Sequence, residues 1–520
     1  MKKTIILALA LALLGGAAYA NWGARDTVPA ATLLVPYIVV DMTGTGANAV
    51  PNPSGYTTLT VVTNVSSAAQ IIHVSVYNAA SQGVVDFDEV LSGYDVWQIN
   101  WRDLLTGDFE LFDTGNSANP PGAETPGGKL GFWNATDVSP YSAIVSDTAP
   151  APWGPSVNTK KTFTGLDAPW DIDSVNSTGC GYPWKNQATF AGLIVSGLQA
   201  PLISWPNQDT DCALGAEIKG WGGWLSGLGQ QPLFFYALID SVNACSGQFP
   251  DSNLFWTGAP PNPIPGNTSY LTNNNTLTGY DIYMNNTQNY SESLPTVNLE
   301  GASGYSGVGF YTSLRNYAKI TAADTYTARE PLPTAWAFNF MNNSGITTEV
   351  GVWKNYTDFE FDSKGNPLYI MAARPYIYYA FDQSENSLAS TSPNCPSGTF
   401  CLQPEPNVFP FQTQKVAVTP ANFDGLPTTA AGNFGWMLLV FEPSIGGQFT
   451  TQNACSFANG THSVYNSNAI DFQSYVFAKY NYGTYSTSVE ATAMSSPNVT
   501  TGAQSQLPAL NTSGLPTVAQ

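Results

Sequence analysis

Histidine is the scarcest functional residue of this chain: His73 and His462 are the two it has in 520 positions. A Ser-His-Asp triad or a His-ligated metal centre needs histidine beside the right partners. His73 alternates with Ser75 on the strand face opposite Ile72, Val74 and Val76, which fits a surface or inter-sheet role better than catalysis. His462 lies in a Gly460-Thr461-His462 loop. No Gly-x-Ser-x-Gly elbow, His-Glu-x-x-His pair or Gly-x-x-x-x-Gly-Lys loop occurs, so serine hydrolase, zincin and P-loop readings fail.

Positive charge is also thin. The chain has 17 Lys and Arg against 37 Asp and Glu, a net charge of −20, and charged residues make up 10% of it. Beyond Lys2-Lys3 the basic residues are scattered, with Lys160-Lys161 the one doublet, so no cationic footprint for nucleic acid exists. Long apolar runs are absent after residue 20. Nothing there approaches the roughly 20 residues of a membrane-spanning helix, so no transmembrane segment is expected once the leader is removed.

That leader is the clearest processing signal. Lys2-Lys3, the apolar Ile5–Leu14 and Ala18-Tyr19-Ala20 have the order of a secretory signal peptide, residues 1–20. Cleavage removes two lysines and no acid, which takes the net charge from −20 to −22. The position after the cut is Asn21 rather than Cys, which speaks against a lipid anchor. In an oxidising compartment the six cysteines, Cys180, Cys212, Cys245, Cys395, Cys401 and Cys455, read as disulfides with fifteen possible pairings. Metal binding would need Cys-x-x-Cys or nearby histidine, and neither occurs.

The mature chain is written in strands. Leu59 and Val61 alternate with Thr58, Thr60 and Val62, the two-residue period of a strand with one buried face. Three more runs follow at 71–77, 84–91 and 94–101, with Val65–Gln70 and Ser92-Gly93 as turns and a helical turn at Arg102–Leu105. Thr32–Asp41 is an apolar strand interrupted by Pro36, which places it at an edge or at a bulge. Its edge and the lead before it are expected to pair with a neighbouring subunit, one route to polymers. Leu233–Ile239 reads as a fully buried strand, and Tyr376–Phe381 and Ser474–Asn481 as later aromatic ones.

Two features recur in order. Val74–Asn78 is echoed in Val350–Asn355, and Leu233–Ile239 followed by Asn243-Ala244-Cys245-Ser246 is echoed in Trp436–Phe441 followed by Asn453-Ala454-Cys455-Ser456. The expected fold is therefore all-β: two divergent β-sandwich-like domains of immunoglobulin-like or jelly-roll type. The first spans 21–256 and includes a loop-rich insertion at 113–230, with short strands such as Gly192–Gly197. A Pro/Asn/Thr-rich connector at 257–304 leads to the second domain at 305–490. Residues 491–520 form a Ser/Thr/Pro-rich tail.

Carboxylates and tryptophans supply the candidate sites. Asp167, Asp171 and Asp173 cluster in the insertion and are the best calcium ligands, although they do not match an EF-hand loop. Asp86 and Asp88 share a strand face, with Glu89 adjacent. Together with Asp209, Asp211, Glu360 and Asp362 they are the acids from which a glycosidase pair would come. Trp153, Trp170, Trp184 and Trp205, each beside a proline, are candidates for stacking on glycans or for anchoring the insertion. Asn134, Asn267, Asn355 and Asn498 head glycosylation triplets.

The segments Leu34-Val35-Pro36-Tyr37, Thr57-Thr58-Leu59, Leu91-Ser92-Gly93-Tyr94-Asp95-Val96 and Arg329-Glu330-Pro331-Leu332-Pro333-Thr334-Ala335-Trp336 together resemble a set of exported bacterial all-β surface proteins with no assigned function. The resemblance implies an all-β secreted fold and carries no catalytic residues. The leading functional expectation is a non-enzymatic cell-surface or extracellular subunit: envelope, surface-layer, appendage or adhesin. Its partners would be further copies, other envelope proteins or glycans. A carbohydrate-binding protein or glycoside hydrolase is the alternative, and an outer-membrane barrel a second one.

Overall fold

A computed structural model describes residues 28–44, 49–79, 83–106, 232–243, 270–285, 287–302, 329–343, 345–355, 377–384, 412–420, 434–441, 473–483 and 485–494. Shorter pieces are described within 194–199, 310–311, 359–361, 367–369, 409–426, 455–462 and 496–505. The chain is all-β, in antiparallel sheets, and the sandwich expectation holds. No sheet among the described residues closes on itself, so the strands do not form the barrel of the second alternative.

The first half supplies strands β1 (Thr32–Val40), β2 (Tyr56–Asn64), β3 (Gln70–Asn78), β4 (Gly83–Leu91), β5 (Val96–Asn100), β6 (Leu233–Val242), β7 (Leu277–Asn285), β8 (Tyr290–Pro295) and β9 (Val297–Leu299). Helix α1 (Trp101–Thr106) supplies the expected helical turn. Sheet I runs β9-β1-β6-β3-β4 and sheet II runs β8-β7-β2-β5. The segment read as a connector, 257–304, is thus no linker over 277–299. Its three strands complete both sheets, and Leu277, Tyr283, Leu294, Val297 and Leu299 are buried there.

The second half supplies β10 (Ala335–Met341), β11 (Ile346–Lys354), β12 (Ile377–Asp382), β13 (Thr413–Ala417), β14 (Phe434–Val440), β15 (Ser474–Tyr482), β16 (Tyr485–Glu490) and β17 (Thr492–Ala493). Sheet III runs β12-β14-β10-β17 and sheet IV runs β13-β11-β15-β16. Set against the first half, the order is the same strand for strand, and β4 alone has no counterpart among the described residues. β6 and β14 correspond, as the sequence echo has it. Val350–Asn355 lies on β11, the counterpart of β2, so its likeness to Val74–Asn78 on β3 is not a topological one.

Three local readings need correction. Of the two places open to Pro36, edge or bulge, the bulge holds: β1 pairs with β9 on one side and β6 on the other, with a register shift between Val35 and Ile38. The expected pairing of β1 with a neighbouring subunit therefore does not hold. Every residue of β1 is buried, so it has no free edge to offer a neighbouring subunit. In β2, hydropathy alone would turn Leu59 and Val61 inward. Instead Thr58, Thr60 and Val62 face sheet I, with the Thr58 hydroxyl bonded to the backbone of Val39. Residues 194–199 contain helical turns rather than a strand, and Ile194, Val195 and Leu198 pack into the first core.

Sheet I is covered on both faces. Leu33, Val35, Ile72, Val74 and Val76 pack inward, toward sheet II. On the other face Leu34, Tyr37, Ile71, Tyr77, Tyr236 and Leu238 join the aromatic core of the second sandwich. Tyr236 meets Trp353 edge-on at 5.9 Å, and Trp353 stacks with Phe310 at 5.6 Å. Double coverage is why β1 and β3 are buried at every position.

Candidate functional site

The two sandwiches meet over a cleft of about 350 Å³, lined from β1, β2, β6, β7 and β8 on one side and from all four strands of sheet IV on the other. Its floor is aromatic. Tyr37 stacks with Phe234 at 6.3 Å and lies 6.1 Å from Phe477, while Tyr283 donates its hydroxyl to the Tyr37 carbonyl at 2.8 Å. Tyr56 and Tyr290 pack edge-on at 5.4 Å along one wall. Strand alternation sets these rings on one face: Tyr37 is on the outer face of β1, and Phe477, Lys479 and Asn481 follow one another at two-residue spacing on β15.

Two ion pairs stand on that floor. Lys415 on β13 reaches Glu349 on β11 at 3.2 Å, and Lys479 on β15 reaches Glu292 on β8 at 2.6 Å. The second pair ties one sandwich to the other. Asn481 donates to Glu349 at 3.0 Å, and Ser486 and Ser488 each donate to Glu292 at 3.1 Å. Lys415 lies 5.7 Å from the Tyr37 ring centre, and Lys479 lies 5.0 Å from that of Tyr290. Burial works against the Glu349 charge, but Lys415 and the Asn481 hydrogen bond outweigh it and hold the carboxyl below its usual range. Burial pulls the Lys479 ammonium down, with Lys415 adding repulsion and Glu292 opposing both. The cleft therefore presents fixed donors and acceptors side by side over rings, an arrangement that orients a small polar ligand without a covalent step.

A second polar cluster crosses the outer face of sheet I in one row. Cross-strand register places Thr32 opposite Asp240, Asp240 opposite His73, and His73 opposite Asp88. His73 Nδ1 and Asp88 Oδ1 are 2.8 Å apart, and Nε2 lies 3.9 Å from Asp86. Burial disfavours a charged imidazole, yet Asp88 first, then Asp86 and Asp240, push its pKa up to about 9. Asp240 accepts from Thr32 and from the Tyr311 hydroxyl at 2.5 Å. Arg329, fully buried, donates to Thr32 at 2.6 Å, to Asn273 at 3.0 Å and to the Thr272 carbonyl at 2.6 Å. The residues at the matching register positions of the second sandwich are Ala335, Val440 and Ile377, so the row belongs to the first half alone.

The expected site residues fall mostly elsewhere. Asp86 and Asp88 do share a face, but as neighbours of a buried histidine rather than as a solvent-facing acid pair. Asp167, Asp171, Asp173, Trp153, Trp170, Trp184 and Trp205 lie outside the described residues, as do Cys180, Cys212, Cys245, Cys395 and Cys401. Cys455 and His462 are opposed in a short hairpin, Cys455–Phe457 with Gly460–His462, so His462 is on a strand rather than in a loop. Asn355 is buried, its backbone bonded to Gln473, which leaves no room for a glycan there. Sequence reasoning missed the cleft, whose members run from Tyr37 to Ser488. The available signal was Lys479 inside the aromatic strand Ser-Tyr-Val-Phe-Ala-Lys-Tyr-Asn, in a chain so short of lysine.

No family model matches this chain, and neither does any curated protein or solved structure.

Proposed function

We propose that the protein is an exported, non-enzymatic β-protein of the cell surface or extracellular matrix that acts as a structural or adhesive subunit. The observation that carries this reading is the double coverage of sheet I, which joins the two sandwiches through a continuous aromatic core. A core shared in that way suits a load-bearing or lattice-forming unit. The shared strand order supports reading the sandwiches as divergent copies of one module. The signal-like leader and the cysteine content support export, with disulfides as a further brace.

Negative-stain electron microscopy of the purified mature protein, with calcium and then with chelator, tests the reading. Sheets, tubes or filaments support it, and their loss in chelator would assign the Asp167, Asp171 and Asp173 group as a calcium site. Dispersed particles in both conditions overturn it. A second reading, recognition of carbohydrate, is favoured by the aromatic and ion-paired cleft between the sandwiches.

A further inference from the structure

We infer that the cleft between the sandwiches binds a neutral pyranose, the terminal or exposed sugar of a glycan. The inference deepens the carbohydrate reading and rests on the cleft being the recognition site. It does not depend on whether the protein assembles.

Size comes first. A cavity of about 350 Å³ lies at the lower end of the range for small-molecule sites, roughly 300–1,000 Å³, and suits one or two sugar rings. The floor then suits a partner with an apolar face, since the half-buried Phe234 lines it beside the buried Tyr37. The C–H face of a pyranose is such a surface, while its rim carries hydroxyls.

Charge decides between ligands that could share that shape. The lining holds Asp41, Glu292 and Glu349 against Lys415 and Lys479, one negative charge in excess. Each lysine is already neutralised by a glutamate, at 3.2 and 2.6 Å. A ligand carboxylate would have to compete with that glutamate for its lysine, and an ammonium would have to approach a lysine. A hydroxyl does neither. It accepts from the lysine N–H and donates to the carboxylate oxygen beside it, so a vicinal diol completes a Lys–Glu pair without disturbing it. Lys415 has one protein acceptor, Glu349, among the described residues, leaving N–H donors for such a diol. Lys479 is more fully engaged, with Glu292 and the Tyr290 hydroxyl at 3.1 Å, so Lys415–Glu349 is the pair that takes the sugar.

Saturation-transfer NMR on the full mature chain, with the methyl glycosides of glucose, galactose and mannose, tests this. Glucuronate and phenylalanine serve as the acidic and zwitterionic probes. At least one neutral glycoside is expected to bind. Its affinity should fall about tenfold or more in the Glu349→Gln, Lys415→Met double variant, the scale of losing a hydrogen bond to a charged group. Tyr94→Ser, at an exposed tyrosine outside the cleft, should leave binding unchanged. Should the double variant not fold, the isosteric Glu349→Gln alone carries the comparison. No binding by any neutral glycoside, preference for glucuronate or phenylalanine, or unchanged affinity in the variant overturns the inference. Assemblies seen by microscopy without sugar binding would sink this inference and leave the structural reading standing.

Discussion

At the scale of single residues, the acid–base behaviour of the core is unusual for a protein with so few charges. Asp281 lies in the interior of the first sandwich, opposite Thr60, whose hydroxyl it accepts at 2.5 Å, and the Trp101 indole donates to the same hydroxyl at 2.8 Å. Burial pushes the Asp281 carboxyl up from 3.8 to about 8, so it is mostly protonated at neutral pH. The folded state then holds a proton that the unfolded chain releases near pH 4. Stability from this group is complete below that point and is lost as pH rises toward 8. His73 adds the same sign in a later window: its contribution is complete below its ordinary 6.5 and is lost as pH rises to about 9. The melting temperature is therefore expected to fall between pH 5 and pH 9. At 1.36 kcal/mol per unit, Asp281→Asn removes a penalty of about 6 kcal/mol at pH 9 and only about 1–2 kcal/mol at pH 5. Equal melting shifts for the variant at both pH values would refute the assignment.

At the scale of elements, β11 and β15 show what one glycine does. A Cβ on Gly351 would stand 2.0 Å from the Phe477 ring, which crosses directly over it from β15. Gly351→Val is expected to cost about 1–3 kcal/mol or more by overpacking, measured as a shift in denaturant midpoint. Because Phe477 also lies against Tyr37 on the cleft floor, the same variant should weaken any cleft ligand. A variant with wild-type stability would mean that the ring is free to move aside.

Much of this level was legible in the sequence. The period-two runs locate β2, β3, β4 and β5, apolar or aromatic runs locate β1, β12 and β15, and the unbroken apolar run at 233–239 marks a strand buried on both faces. Pairing was not legible, because it depends on residues hundreds of positions apart. Pro36 shows the limit: the sequence calls for an edge or a bulge, and the register with β6 decides for a bulge inside the sheet. Nor does alternation say which face turns in. At β2 the hydrogen bonds of Thr58 and Thr60 overrule the hydropathy of Leu59. The cleft was invisible for the same reason, since each of its residues is ordinary on its own strand.

At the scale of the whole molecule, Arg329 joins the approach to the second sandwich to the first. Its guanidinium ends on Thr32, Asn273 and the Thr272 carbonyl, and the neighbouring Glu330 N–H bonds to the Glu300 carbonyl at 2.9 Å. Burial pulls the guanidinium pKa down while Asp240 opposes that, so the pair is one buried charge system. Arg329→Ala removes the main counter-charge of Asp240, leaving the weaker one of His73, and is expected to cost about 3–5 kcal/mol, read by chemical denaturation. Arg329→Ala with Asp240→Asn should recover part of that loss. If the double variant is no more stable than the single one, the two residues are not coupled.

The burial of β1 on both edges and both faces also sets a clock. Its partners arrive late: Asp240 is 208 positions downstream of Thr32, and Thr413, which donates to the Pro36 carbonyl, is 377 downstream of that proline. The first strand to emerge is thus among the last to be satisfied, and contacts of such high sequence separation make folding slow. The edges of β1 stay open until β9 at 297–299 has been made, and its outer face stays open until the second sandwich follows. That delay is what a protein needs if it must be threaded unfolded across a membrane before it takes shape on the far side.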